Sequence, residues 1–130
     1  MSNNLMIIKL IFIICLMLSF TIATLADDIN YFTLPEPIIS NINGSTKLVQ
    51  ISLSLTSDYE PKVFDNVKLH MLPIKAAILD VIYQSTLKDL SVENRDKLCD
   101  KLLEVINKVL ENKTRFGGIK QVLITDINIR

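Results

Sequence analysis

The stretch Tyr31–Leu55, YFTLPEPIISNINGSTKLVQISLSL, decides the fold. Its second half alternates strictly. Val49, Ile51, Leu53 and Leu55 fall on one side, and Gln50, Ser52, Ser54 and the following Thr56 on the other, the period of a strand with one buried and one polar face. The first half is rich in aromatic and β-branched residues, but Pro35 and Pro37 bracket Glu36. A proline donates no ladder hydrogen bond and holds the preceding residue extended, so Tyr31–Asn43 reads as a lead-in that becomes an edge strand after Pro37. Asn43, Gly44 and Ser45 tolerate positive φ and supply a turn. The stretch therefore predicts a β-hairpin.

Downstream the period changes. Phe64, Val67, Met71, Ile74, Ile78 and Ile82 recur at steps of three or four, one face of a helix. Pro73 lies inside that pattern and predicts a break near Leu72, with the proline in the first turn of a new helix. Ser91 is placed to cap a further helix whose apolar face carries Leu98, Leu102, Ile106 and Val109 or Leu110. After a polar loop ending at Gly117 and Gly118, IKQVLITDINIR predicts a closing strand with Leu123, Thr125, Ile127 and Ile129 on one side. The order hairpin, helices, strand specifies an α+β fold of two layers around one core, which suits the roughly 100 residues beyond the N-terminal run.

Upstream of Tyr31 the solvent changes. LIFIICLMLSFTIATLA, Leu10–Ala26, carries no charge, and counted from Leu5 the apolar run contains only Lys9. Such a run is about 33 Å long as a helix, enough to cross a bilayer. Lys9 with Leu10 at one end and Ala26 with Asp27 at the other predict an anchor with its N-terminus in the cytoplasm. A signal peptide cleaved after Ala26, with Thr24 and Ala26 as the small residues, is the competing reading, and both export the chain beyond that point. The expected organisation is a cytoplasmic tip and anchor over residues 1–26, a short spacer over 27–30 and one exported domain over 31–130.

Composition narrows the function. Lys+Arg and Asp+Glu balance at 14 each, so no basic field is present to attract nucleic acid. Cys15 lies in the apolar run and Cys99 in a helical pattern, which reads as two small apolar fillers and no disulfide framework. The single histidine, His70, cannot build a triad or a histidine metal cluster. Adjacent Asp27 and Asp28 read as a solvated boundary, and Gly117-Gly118 lacks the spacing of a phosphate-binding loop. Two N-glycosylation sequons, at Asn43 and Asn112, read as coincidental, the first being explained by the turn. Lysines 62, 68, 75, 88, 97, 101 and 108 interleave with acids as solvated helix faces. No catalytic, cofactor-binding or metal residue emerges.

The segment from Tyr31 to Leu55 resembles the opening of the exported domain of the flagellar basal body-associated FliL family. The likeness is carried by Tyr31, Phe32, Leu34, Pro35, Glu36, Asn41, Asn43, Gly44 and the alternating Val49–Leu55. It continues through LHMLPIKAAILDVIYQSTLKDLS, Leu69–Ser91, and closes on VLITDINIR, Val122–Arg130. The link between the apolar run and Tyr31 is shorter than in many members. The resemblance implies a non-enzymatic single-pass protein of the inner membrane. It further implies a periplasmic domain like the stomatin/prohibitin-like domain, which forms homo-oligomeric rings and associates with flagellar stator units and basal-body proteins. Support of motility, torque and rotational control during chemotaxis would follow. A soluble periplasmic or secreted binding module freed after Ala26 is the alternative. The lysine faces and the polar side of the hairpin strand are the surfaces open to partners.

Overall fold

The computed structural model describes residues 2–22 and 29–130, with side chains described at 3–15 and 29–130. The anchor boundary at Ala26 and Asp27, the cleavage pair Thr24 and Ala26, and Asp28 lie outside the described residues. Helix α1 spans Ser2–Ile22, and Leu5, Lys9, Leu10, Phe12 and Cys15 on it are exposed. Among the described residues no helix is long and apolar enough to cross a membrane; the described side chains of α1 stop at Cys15, short of the second half of the apolar run.

The remaining elements form an antiparallel sheet backed by helices: β1 (Phe32–Thr33), β2 (Ile38–Asn41), β3 (Leu48–Ser57), α2 (Lys62–Leu69), α3 (Met71–Gln84), a 3-10 turn (Val92–Asn94), α4 (Arg95–Thr114) and β4 (Ile119–Ile129). The centre is β3. Its one edge pairs with β4 from Val49 to Ser57; its other edge takes β2 opposite Leu48–Ile51 and β1 opposite Ser54 and Leu55. So β1 and β2 are one edge strand interrupted at Leu34–Pro37, where the two prolines cannot donate to the ladder. The expected hairpin is present as β2 and β3.

Val49, Ile51, Leu53 and Leu55 are each fully buried, facing Ile74, Ile78 and Ile82 of α3 and Leu102, Ile106 and Leu110 of α4 in one core. Each such side chain contributes roughly 1.5–3 kcal/mol by leaving water. The core runs from Leu34 to Val122, so the domain supplies its own interior.

Four expectations need correction. First, the helix break is present with Pro73 in the first turn of α3 as expected, but it falls at His70, two residues before Leu72, because Pro73 offers no N–H to the carbonyl of Leu69. Second, Ser91 precedes the 3-10 turn, its hydroxyl donates to the Lys88 carbonyl at 2.6 Å, and the residue before α4 is Asn94. Third, β4 has register shifts beside Ser52/Leu53 and Thr56/Ser57. Ile127 and Ile129 stand opposite Ile51 and Val49 as their alternation implies, but the first shift transfers the core-facing role from Thr125 and Leu123 to Ile124 and Val122, which oppose Leu53 and Leu55. Fourth, Cys15 is exposed, so only Cys99, half-buried, packs as a filler.

The start of β4 is clamped by one side chain. Asn107 on α4 donates from Nδ2 to the Ile119 carbonyl and accepts the Ile119 N–H on Oδ1, both at 2.9 Å. A side chain at Gly117 would meet that amide at 2.8 Å. Gly118, at φ 83°, would place a Cβ 2.8 Å from Val63. Burial and these contacts set three outcomes for urea unfolding followed by circular dichroism. Ile51→Ala lowers stability by about 2–5 kcal/mol, while Ile39→Ala, on the exposed face, changes it by less than about 0.5 kcal/mol. Gly118→Ala costs about 1–3 kcal/mol because it combines backbone strain with the contact to Val63.

Candidate interaction surfaces

The residues that carry the sequence pattern form a clasp. Phe32 stacks on Phe64 with ring centroids 5.4 Å apart, and the Lys68 ammonium lies 5.7 Å from the Phe32 centroid, within cation–π range. Leu34 is buried and donates its N–H to the Leu53 carbonyl at 3.0 Å, bridging the gap between β1 and β2. Between the prolines, Glu36 accepts from Lys75 of α3 at 2.9 Å. Asn41 ends β2 opposite Leu48, Asn43 donates its N–H to the Tyr83 carbonyl at 2.9 Å, and Gly44 takes φ 77° in the turn. Tyr31, like Pro35, Glu36, Asn43 and Gly44, is exposed and outside a strand, but it makes none of these contacts. The motif thus fastens the interrupted edge strand to β3 and α3.

The polar side of β3 differs from its expected solvated character. Gln50 and Ser52 are half-buried, whereas Ser54 and Thr56 are buried. The opposing Thr33, Leu123 and Gln121 flank them across the strands. Ser54 shares a 2.9 Å hydroxyl contact with Thr33, while the Thr56 hydroxyl has no hydrogen-bond partner among the described residues.

Three surfaces remain open. On α3, Leu72, Ala76, Leu79 and Tyr83 are exposed at spacings of four, three and four, a continuous helical stripe, and Leu69 at the end of α2 extends it. Beside β1, Phe32, Thr33, Pro35, Lys68 and Met71 line an apolar groove of about 350 Å³. At the Ser57 end of the sheet, Tyr59 and Phe116 meet edge to face with centroids 5.0 Å apart. Next to them Ile29, Asn30, Thr56, Asp58, Glu60 and Lys120 line an open polar depression of about 440 Å³. Sequence reasoning missed this aromatic pair, because its partners are remote along the chain and no local period links them.

The titrating groups that depart from their ordinary values do so through local contacts. Hydrogen bonding from Lys75, then its charge, holds the Glu36 carboxyl below the ordinary carboxylate range. Asp89 is lowered by the Thr86 backbone N–H it accepts and by the Thr86 hydroxyl. Burial pushes the Cys99 thiol up, against the Ile124 N–H, so it carries little reactive thiolate. Among the described residues no group of three or more His, Cys, Asp or Glu side chains could hold a metal ion. His70 sits half-buried at the α2–α3 junction, and Lys9 and Leu10 are exposed on α1.

Folded Glu36 and Asp89 bind protons less readily than the unfolded chain does. Their contribution is therefore present above the ordinary values of 4.5 and 3.8 and is lost as pH falls through the lower folded values. Glu36 is exposed and Asp89 partly so, and the effect is small. The urea midpoint is expected to decline as pH falls below about 5, and the decline is shallower in a Glu36→Gln, Asp89→Asn double variant; equal slopes would contradict the assignment.

Comparison with curated proteins returned no match. The family model described as flagellar basal body-associated protein FliL matches residues 31–129. That span contains every strand, the clasp and both core helices. With its opening motif serving as the clasp of the edge strand and the match running to the end of β4, the chain belongs to the FliL family of flagellar basal body-associated proteins.

Proposed function

We propose that the chain is a non-enzymatic flagellar basal-body protein, anchored in the inner membrane by Leu10–Ala26 with Lys9 on the cytoplasmic side. In this reading residues 27–30 are a spacer and residues 31–130 a periplasmic domain that self-associates and contacts stator units, supporting motility, torque and rotational control during chemotaxis. The observation that carries it is the family match over residues 31–129. Two features of the chain support it. An uncharged run of membrane length precedes the domain. The α3 stripe of Leu72, Ala76, Leu79 and Tyr83 is an exposed apolar face of the kind that lateral contacts use. Ring assembly like that of the stomatin/prohibitin-like domain is part of the same proposal.

The mechanism is geometric. An anchor confines copies to two dimensions and raises their effective concentration, so an interface too weak to hold in solution suffices at the membrane. The domain then acts as a rigid spacer around the stator, transmitting position without chemistry.

Membrane fractionation with intact mass is expected to find Met1 retained and the chain in the membrane; a soluble product beginning at Asp27 would instead favour the released binding module. Leu72→Glu changes stability by less than about 0.5 kcal/mol because that side chain is 81% exposed. The same variant is expected to abolish cross-linked oligomers in membranes and to slow swimming in viscous medium. Unchanged cross-linking would remove the stripe from the interface.

A further inference from the structure

We infer that the Ser57 end of the domain is a lipid-docking surface, seated on the outer headgroups of the bilayer that holds the anchor. The inference rests on the anchored reading and adds to it a defined orientation. Several segments of the fold converge at that end. The rung Ser57–Ile119 is the last of the β3–β4 ladder, and β1 pairs at Leu55, so residues 29–31, 58–61 and 116–118 all lie beyond the same margin of the sheet. There Ile29 (65% exposed), Tyr31 (55%), Tyr59 (59%) and Phe116 (42%) present large apolar side chains to solvent. Asn30 ties the arriving chain to this end by donating to Glu60 at 3.0 Å.

Chain reach identifies the occupant of this surface. Two residues, Asp27 and Asp28, separate Ala26 from Ile29, and a fully extended chain advances at most about 3.6 Å per step, so the three steps hold Ile29 within about 11 Å of Ala26 whatever the path. The headgroup layer on each side of the hydrocarbon is about 5–8 Å deep. An apolar run ending at Ala26 therefore delivers Ile29 into or just above the headgroups, and the register of β3 brings Tyr59 and Phe116 beside it. Tyrosine suits that depth, with an apolar ring and a polar tip.

The charges are compatible with headgroup phosphates. Among residues 29–31, 58–61 and 116–118 the two acids have partners, Asp58 with Lys120 at 3.3 Å and Glu60 with Asn30; Asp27 and Asp28, in the spacer, lie outside the described residues. Lys62, Lys113 and Arg115 form no salt bridge among the described residues, leaving cations to face phosphate. The exposed α3 stripe ends at Tyr83, whose carbonyl binds Asn43 near the opposite end of β3. Docking on lipid thus leaves that stripe free for protein contacts.

The chain contains no tryptophan, so single substitutions report position. The full chain carrying Tyr59→Trp, Phe116→Trp or, as the distal control, Tyr83→Trp is reconstituted in phosphatidylcholine–phosphatidylglycerol vesicles brominated near the top of the acyl chains. Circular dichroism confirms that each variant is folded. Quenching at positions 59 and 116 at least about threefold stronger than at 83 is expected, as for an aromatic at the membrane interface. Equal quenching at all three positions, with the chain retained on vesicles after alkaline carbonate washing, overturns the docking surface and leaves the anchor standing. Blue-shifted but unquenched emission from the Tyr59→Trp variant assigns the surface to a protein partner and also overturns it. Loss of the chain in the wash refutes the anchor, and the docking inference with it.

Discussion

The register of β3 is the constraint on which the rest of the molecule depends. The strand is hydrogen-bonded along both edges, and Val49, Ile51, Leu53 and Leu55 on one side are wholly buried. A slip of one residue would turn those four side chains to the polar face and bring Gln50, Ser52, Ser54 and Thr56 into the core, at a cost no compensating contact could offset. With β3 held, the edge strand must break where its prolines fall, and β4 must bulge twice to keep Val122 and Ile124 inward. The helices then have one apolar surface to cover, with α3 and α4 supplying matching stripes.

The same register brings distant parts of the chain together. Tyr59 follows the last rung of β3 and Phe116 precedes the first rung of β4, so the ladder that pairs Ser57 with Ile119 also sets the two rings side by side. Asn107 reinforces the arrangement by holding both backbone groups of Ile119, which is possible only because Gly117 leaves room for its amide. The clasp works at the other edge in the same way. Phe32 on Phe64, the Leu34 N–H on the Leu53 carbonyl and Glu36 on Lys75 hold the edge strand on either side of and across the Pro35–Pro37 interruption. The residues that carry the sequence resemblance are thus those that let a proline-broken strand remain part of the sheet.

Much of this was legible in the sequence, because side-chain period is a direct consequence of which face is buried. Val49–Leu55 announced a half-buried strand, Ile74–Ile78–Ile82 and Leu98–Leu102–Ile106 announced helix faces, and all lie in the core. The departures come from interactions that have no local signature. A bulge at Thr125 shifts which residues face inward without disturbing the composition of β4, so strict alternation assigns Leu123 where Val122 and Ile124 serve. Pro73 announced a break, but its position follows from the carbonyl of Leu69, one turn back. The burial of Ser54 and Thr56 depends on cross-strand neighbours, and the Tyr59–Phe116 contact on a rung between remote strands. Local pattern reveals the family and the layers; the surfaces on which function depends emerge only once the strands are paired.

A family of flagellar basal body-associated proteins, a domain with a core of its own and an uncharged run ahead of it together support the proposal of a tethered structural part of the motor. Imaging a fluorescently tagged chain in live cells with labelled filaments tests that account most directly. Tagged chain concentrated in foci at filament bases, and dispersed when residues 10–26 are deleted, is the predicted result. An even distribution over the cell, or foci unchanged by that deletion, would contradict it.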